Sequence, residues 1–238
     1  MGFVIIAHRG ASAVAPESTK AAILAAVRAG ADMIELDVQM TRDSRLVIFH
    51  DERVERTTHG SGRLSQMRYA ELVHLEQGAW FGQRFAGERI LLVSQVAPLI
   101  PQKRVRINFE LKSTTRRRAL IAQFLRVIRG SQLGKRLLIS SFDSRLLQPL
   151  MRRRLACALL CHEQADRSLQ RAIQLGCDAW HPIYTLATPR RVARAHAAGL
   201  RVHIWTVDHL PLARHLLRIG VDGIVTNDPA RLRALRRP

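Results

Sequence analysis

The sequence contains little cysteine, few aromatic residues and no long apolar run. Three of its 238 residues are cysteines (Cys157, Cys161 and Cys177), an odd number that argues against a disulfide framework and fits a reducing compartment. No apolar stretch approaches the roughly 20 residues that cross a bilayer. The first residues also lack the basic segment and apolar core of a secretory signal. We therefore expect a cytoplasmic protein without a transmembrane segment.

Acidic residues are scarce relative to basic ones. The formal net charge is +19, and only four of the 38 basic residues are lysines. Such a charge favours nucleic acid or an anionic surface as a partner. However, the arginines are spread through many predicted helices, and aromatic residues, at 5%, are too few for base-stacking platforms. We expect no specific nucleic-acid partner, while a weak attraction to anionic surfaces or substrates stays open. The oligomeric state is not predicted.

Strand-like and helix-like patterns alternate along the chain, which predicts the α/β class. Glycines follow several helical runs, where a left-handed turn favours glycine, and Ser18 and Thr188 are candidate helix caps. Eight strands with crossover helices predict a (β/α)8 TIM barrel. An open doubly wound sheet is less favoured, because no Gly-x-Gly-x-x-Gly follows a strand. The predicted strands are residues 3–7, 33–38, 106–111, 137–141, 157–160, 178–181, 201–206 and 223–226.

One stretch interrupts this alternation. Residues 43–104 are too long for a single βα connection, and they contain a short apolar run, 46–49, and a turn-rich segment, 57–62. We interpret them as a small insertion between the second and third barrel strands, within a single domain that spans residues 1–238. Active sites of such barrels lie at the C-terminal ends of the strands, so an insertion there can cover the site.

Four polar clusters follow apolar runs: His8-Arg9, Glu35-x-Asp37, His50-Asp51 and Glu110-x-Lys112. Residues two apart on a strand share a face, so both carboxylates of the second cluster can approach one cation. Carboxylate oxygens without cysteine suit Mg²⁺, Ca²⁺ or Mn²⁺. The clusters therefore predict one divalent metal ion, held by acidic side chains of two strands.

The remaining members of these clusters suit acid/base and anion chemistry. Two histidines beside carboxylates, His8 and His50, indicate a general acid and a general base. Arg9 and Lys112 add fixed positive charge, and arginine can hold a phosphate through paired hydrogen bonds. The residues alone thus predict a metal-dependent enzyme that acts on phosphoesters.

Several motifs, in order along nearly the whole chain, resemble those of the glycerophosphodiester phosphodiesterases. The motifs are His8-Arg9-Gly10, Pro16-Glu17, residues 35–43, Phe49-His50-Asp51, residues 56–62, Asn108-Phe109-Glu110-Leu111-Lys112, Ser140-Ser141-Phe142, Trp205-Thr206-Val207 and residues 220–226. The chain departs from the family pattern at Ser18, where asparagine is usual, and at residues 90–96, which lack a usual proline and acid.

The resemblance implies a TIM barrel with an insertion after its second strand and metal-dependent hydrolysis of glycerophosphodiesters to sn-glycerol 3-phosphate and an alcohol. It implies Glu35, Asp37 and Glu110 as metal ligands and His8 and His50 as the catalytic acid/base pair. We assign His8 as proton acceptor and His50 as proton donor. Arg9, Lys112 and Trp205 would bind the substrate. Two alternatives remain: lysophospholipase D activity on the same fold, and, less favoured, a basic nucleic-acid-binding protein.

Overall fold

Eight parallel strands close into a barrel in the computed structural model, which describes residues 2–100, 105–131 and 133–236. The barrel strands are β1 (Val4–His8), β2 (Met33–Met40), β4 (Arg106–Leu111), β5 (Leu137–Ser141), β6 (Cys157–Cys161), β7 (Ala179–Pro182), β8 (Arg201–Ile204) and β9 (Gly223–Thr226). Pairing of β1 with both β2 and β9 closes the circle. The short strand β3 (Leu46–Ile48) pairs antiparallel with the end of β2. The predicted (β/α)8 barrel is confirmed.

Helices follow most of the strands. They are α1 (Lys20–Arg28), α2 (Tyr69–Leu72), α3 (Arg117–Arg129), α4 (Ser144–Met151), α5 (Ala165–Leu175), α6 (Pro189–Ala197), α7 (Leu210–Arg218) and α8 (Pro229–Arg233). The cap predicted at Thr188 is confirmed, since its hydroxyl accepts from the backbone N–H of Arg191. The cap predicted at Ser18 is wrong. Ser18 adopts a left-handed φ of 62°, and the next residue, Thr19, caps α1.

The predicted insertion leaves the barrel after β2. It contains β3, α2 and several 3₁₀ turns, and it buries a small apolar cluster of its own that includes Phe49 and Leu64. The end of the predicted range, residues 101–104, lies outside the described residues. Strand β3 ends just before His50, so the insertion carries this histidine back to the C-terminal end of the barrel.

Alternation along the strands divides the apolar residues into two groups. One face of each strand packs against the helices in the main core, as Leu36 and Ile224 do. The other face fills the barrel interior with a smaller cluster, which includes Ile6, Met33 and Leu138. Successive strand residues point to opposite faces, so the interior positions continue at every second residue toward the C-terminal ends. There the apolar filling gives way to polar side chains.

At the opposite end of the barrel, a Gly-x-Asp sequence occurs three times, at residues 30–32, 176–178 and 220–222, and links neighbouring strands. In each copy the glycine ends a helix with φ between 73° and 93°, and the aspartate accepts a backbone N–H from an adjacent strand. The bonds run from Ile5 N to Asp32 Oδ2 (2.7 Å), from Cys157 N to Asp178 Oδ2 (2.9 Å) and from Val202 N to Asp222 Oδ2 (2.7 Å). These side chains accept hydrogen bonds from strand N–H groups that lie just before the first residue pair of the two neighbouring strands.

Candidate active site

A cavity of about 180 Å³ opens at the C-terminal end of the barrel. Every barrel strand, or the residue directly after it, contributes to its wall. The lining residues are His8, Arg9, Glu35, Asp37, His50, Asn108, Glu110, Lys112, Ser140, Phe142, Leu160, His181, Trp205 and Val225. The structure thus brings all eight side chains predicted from the sequence into one cavity.

The three predicted metal ligands form a buried acidic cluster. Oxygens of Glu35, Asp37 and Glu110 all lie within 4.8 Å of one another. Burial, and then the charges of the other two carboxylates, raise the pKa of Glu35 well above its usual range. Glu35 Oε1 has no hydrogen-bond partner among the described residues, and Asp37 Oδ2 accepts no hydrogen bond from them, although it lies near the Arg9 guanidinium. Buried carboxylate oxygens with unused lone pairs in such a group fit a divalent cation.

Two cationic side chains border the acidic cluster. Lys112 Nζ lies 2.7 Å from Asp37 Oδ1 and 2.5 Å from Glu110 Oε1. Burial lowers the pKa of Lys112, but Asp37 and Glu110 outweigh it and raise that pKa above its ordinary value. Arg9 Nε approaches Asp37 Oδ2 at 3.3 Å. When all three acids are ionised, the two cations leave one net negative charge, which a divalent ion would convert to a net positive charge that attracts phosphate.

The sharp turn after β1 directs Arg9 toward this cluster. Arg9 has a left-handed φ of 54°, and its backbone N–H donates to Glu35 Oε2 at 3.1 Å. Gly10 follows with φ of 86°, where a Cβ atom would lie 2.6 Å from the carbonyl carbon of Ala22 in α1. Only glycine fits this position, which explains the third residue of the His-Arg-Gly motif.

His8 has a defined tautomer. Its Nδ1 lies 2.7 Å from Asn227 Oδ1, and Asn227 Nδ2 donates to Asp208 Oδ2 at 2.6 Å. A carboxylate only accepts, so Asp208 orients the amide with its oxygen toward His8. His8 therefore carries its proton on Nδ1, which leaves Nε2 able to accept one. Burial, and then the charge of Arg9, lower the pKa of His8 to about 4, so the ring is neutral near pH 7.

His50 is held by a carboxylate. Its Nδ1 donates to Asp51 Oδ1 at 2.6 Å. The other oxygen of Asp51 accepts from Arg56, which also donates to both oxygens of Glu17. Glu17 Oε1 in turn accepts from Arg9 at 2.9 Å. A chain of alternating charges therefore connects His50 to Arg9 through Asp51, Arg56 and Glu17.

Trp205 forms part of an aromatic rim on the opposite side of the cavity. Its indole N–H donates to the carbonyl oxygen of His181 at 2.8 Å. Its ring meets Phe142 edge to face, with centroids 5.7 Å apart. The rim adds two aromatic rings to the lining, in contrast to the charged wall formed by β1, β2 and β4.

Several residues that support the site were not among those predicted from the sequence. Asn108 shares the face of Glu110 by the two-residue period, and Glu17 and Arg56 lie in quoted motifs without an assigned role. Asp208 and Asn227 shortly follow strands β8 and β9, the position that marked the predicted residues on other strands. The sequence therefore showed that these polar residues lie in motifs or near strand ends, but it did not show which of them contact one another.

Comparisons with known proteins agree with this geometry. The model of the glycerophosphoryl diester phosphodiesterase family matches residues 8–231. A glycerophosphodiester phosphodiesterase of Caldanaerobacter subterraneus is 36% identical over 98% of this chain and 97% of its own length. The chain belongs to this family. It is a phosphoric diester hydrolase by that membership.

Solved structures of glycerophosphodiester phosphodiesterases and related enzymes have the same fold. A phosphodiesterase of Oleispira antarctica, in complex with the product sn-glycerol 3-phosphate, superposes with a TM-score of 0.92 at 29% identity and covers 97% of this chain and 95% of its own. A second, from Silicibacter pomeroyi, gives 0.89 at 28% identity, with 98% and 92% covered. Among the described residues, no helix combines the length and apolar character of a membrane span.

Proposed function

We propose that this member of the family hydrolyses glycerophosphodiesters to sn-glycerol 3-phosphate and an alcohol, with one divalent metal ion and histidine acid/base catalysis. The observation that carries the proposal is the single cavity in which an acidic trio, two cations and two histidines meet. The similarity to the glycerophosphodiester phosphodiesterase of Caldanaerobacter and the product bound to the Oleispira enzyme support this substrate class. We also infer action in the cytoplasm, which the three free, buried cysteines support.

Glu35, Asp37 and Glu110 would hold the ion, which can be Mg²⁺, Ca²⁺ or Mn²⁺. When bound, the metal neutralises charge on the phosphoryl oxygens and orients the diester. Arg9 and Lys112 are placed to bind the same phosphate, since both border the acidic cluster. Fixed charges around a phosphoryl group stabilise its transition state without having to reorganise.

His8 and His50 would move the protons. Nε2 of neutral His8 accepts the proton of the attacking oxygen, a glycerol hydroxyl of the substrate or water, as that oxygen bonds to phosphorus. The bond between phosphorus and the leaving oxygen breaks, and Nε2 of His50 donates a proton to that oxygen. Attack by water gives glycerol 3-phosphate directly, whereas attack by the hydroxyl gives a cyclic phosphate, which water then opens to glycerol 3-phosphate. Donation requires the imidazolium form of His50. Burial lowers the pKa of His50 below its ordinary value, while Asp37 and Asp51 favour the charged ring.

The proposal is tested by assaying release of glycerol 3-phosphate from a panel of glycerophosphodiesters under Mg²⁺, Ca²⁺ and Mn²⁺, with and without chelator. We expect metal-dependent release, reduced by about 10²–10⁴-fold in His8→Ala and His50→Ala. His209→Ala is a matched control, because His209 is exposed and lies outside the cavity. If no diester gives chelator-sensitive release, the proposed function is wrong.

A further inference from the structure

Two buried histidines occupy the interior of the barrel, where bulky apolar residues are typical. His181 on β7 and His203 on β8 are each 1% exposed. His203 Nδ1 lies 3.0 Å from His181 Nε2, and the ring centroids are 4.8 Å apart. A buried polar pair in an apolar position calls for a specific explanation, and the proposed mechanism uses neither residue.

The barrel makes room for this pair. A Cβ atom at Gly223 on β9 would lie only 2.7 Å from Cδ2 of His203, so the absence of a side chain there admits the ring. Burial lowers the pKa of both histidines, that of His203 to about 4. Both rings are therefore neutral near pH 7, and their bond joins one N–H to one lone pair.

The bond between the histidines determines which nitrogen of His181 can meet a ligand. Its Nε2 is committed to His203, whereas its Nδ1 has no hydrogen-bond partner among the described residues. His181 lines the cavity, as do the apolar side chains of Leu160 and Val225. A bound molecule can supply the missing partner for Nδ1, and a hydroxyl can do so in either tautomer because it both donates and accepts.

The position of His181 around the barrel indicates which hydroxyl this is. The eight barrel strands run in the order β1, β2, β4, β5, β6, β7, β8 and β9, so β7 lies diametrically opposite β2, which carries Glu35 and Asp37. A phosphate held at that acidic wall leaves the rest of its glycerol to extend across the cavity. In sn-glycerol 3-phosphate, the C1 hydroxyl is the group farthest from phosphorus.

We propose that His181 binds the free C1 hydroxyl of the glycerol moiety through Nδ1, and that His203 is a positioning residue that holds the His181 ring. This inference rests on the proposed function and narrows its substrate class. The site takes diesters whose C1 hydroxyl is unsubstituted. A 1-acyl lysophospholipid has an ester in place of the C1 hydroxyl and so lacks the hydrogen-bond donor, which makes it a poorer substrate.

The test uses two substrates with the same leaving group. They are sn-glycero-3-phosphoethanolamine and its analogue with hydrogen in place of the C1 hydroxyl. We expect the unmodified enzyme to prefer the first by about tenfold in kcat/KM, the size of a hydrogen bond with a buried partner. His181→Asn retains a polar atom near Nδ1 but loses the one near Nε2. His181→Gln does the reverse.

We expect His181→Asn to retain part of the preference, because it keeps the polar atom near Nδ1 but loses the bond that holds the side chain, and His181→Gln to lose it. A purely structural role predicts the opposite order, since glutamine preserves the bond to His203. Equal kcat/KM of the unmodified enzyme on both substrates, or retained preference only in His181→Gln, overturns the inference. If neither substrate is turned over, the proposed function fails separately. Calorimetric binding of sn-glycerol 3-phosphate and its 1-deoxy analogue then decides the inference, because equal affinity refutes it.

Discussion

The orientation of the Asn227 amide sets the tautomer of His8, and a single substitution, Asp208→Asn, should reverse it. Asp208 Oδ1 accepts from Thr226 Oγ1 and from the backbone N–H of Asn227, at 2.8 and 2.7 Å. These two donors keep an oxygen at that position after the substitution. The new NH₂ group must then replace Oδ2 and face Asn227 Nδ2, which lies 2.6 Å from that oxygen.

Two donors facing each other cost about 1–3 kcal/mol, the penalty of a buried group left unpaired. A flip of the Asn227 amide avoids the penalty, but it presents NH₂ to His8 Nδ1. His8 then carries its proton on Nε2 and cannot act as the base. Because each 1.36 kcal/mol is tenfold in rate, we expect kcat to fall by about 10- to 100-fold, with little change in KM.

The assay is the steady-state release of glycerol 3-phosphate at saturating metal, together with the thermal unfolding midpoint. Asp222→Asn is the matched control, because Asp222, like Asp208, accepts hydrogen bonds from a side chain and from a backbone N–H but lies at the opposite end of the barrel. We expect the control to lose stability without the drop in kcat. A folded Asp208→Asn variant with kcat within about twofold of the unmodified enzyme would refute the tautomer argument.

Three further predictions concern the metal, the packing of the barrel and the acid limit of stability. Glu110→Gln should raise the metal concentration for half-maximal activity by at least about tenfold, because even the loss of a residue that only hydrogen-bonds to a metal ligand has an effect of this size. An unchanged metal titration would remove Glu110 from the ligand set. Gly223→Ala should destabilise the fold by about 1–3 kcal/mol in denaturant unfolding, because its Cβ would overlap His203. Gly82→Ala, whose Cβ meets nothing closer than 4.0 Å, is its control. Partial burial raises the pKa of Asp143, but hydrogen bonds from two arginines outweigh it and lower that pKa to about 2. Its stabilising contribution is complete above its ordinary pKa of about 4 and is lost as pH falls toward 2, so Asp143→Asn should flatten this part of the melting-temperature profile.

Much of the barrel and of the cavity lining could be predicted from the sequence, because both depend on local periodicity. Inward residues recur every second position, so Glu35, Asp37 and Glu110 had to project together once their strands were placed side by side. The repeated Gly-x-Asp sequence also marks helix ends by local signals. The exact helix cap differed: Ser18 has a left-handed backbone and donates its N–H to the carbonyl oxygen of Arg9, a contact that the local sequence does not indicate.

The supporting contacts could not be predicted, because they join residues that are distant in the chain. The bond between His8 and Asn227 spans 219 residues, and that between Arg56 and Glu17 spans 39. No periodicity relates such positions. The His181–His203 pair is similar, since each histidine occupies an ordinary strand position and only the pairing of β7 with β8 places the rings together.

The partners of the two catalytic histidines differ in charge, and this difference supports the proposed order of proton transfer. His8 bonds to the neutral amide of Asn227, while its burial and the charge of Arg9 oppose protonation. Burial leaves the pKa of His50 below its ordinary value too, but His50 bonds to the carboxylate of Asp51, which favours the imidazolium. A histidine that acts as a base must begin neutral, and one that acts as an acid must begin as the imidazolium, so His8 suits the first role and His50 the second. Exchange of the roles would require His8 to hold a second proton beside Arg9 without a carboxylate bonded to its ring.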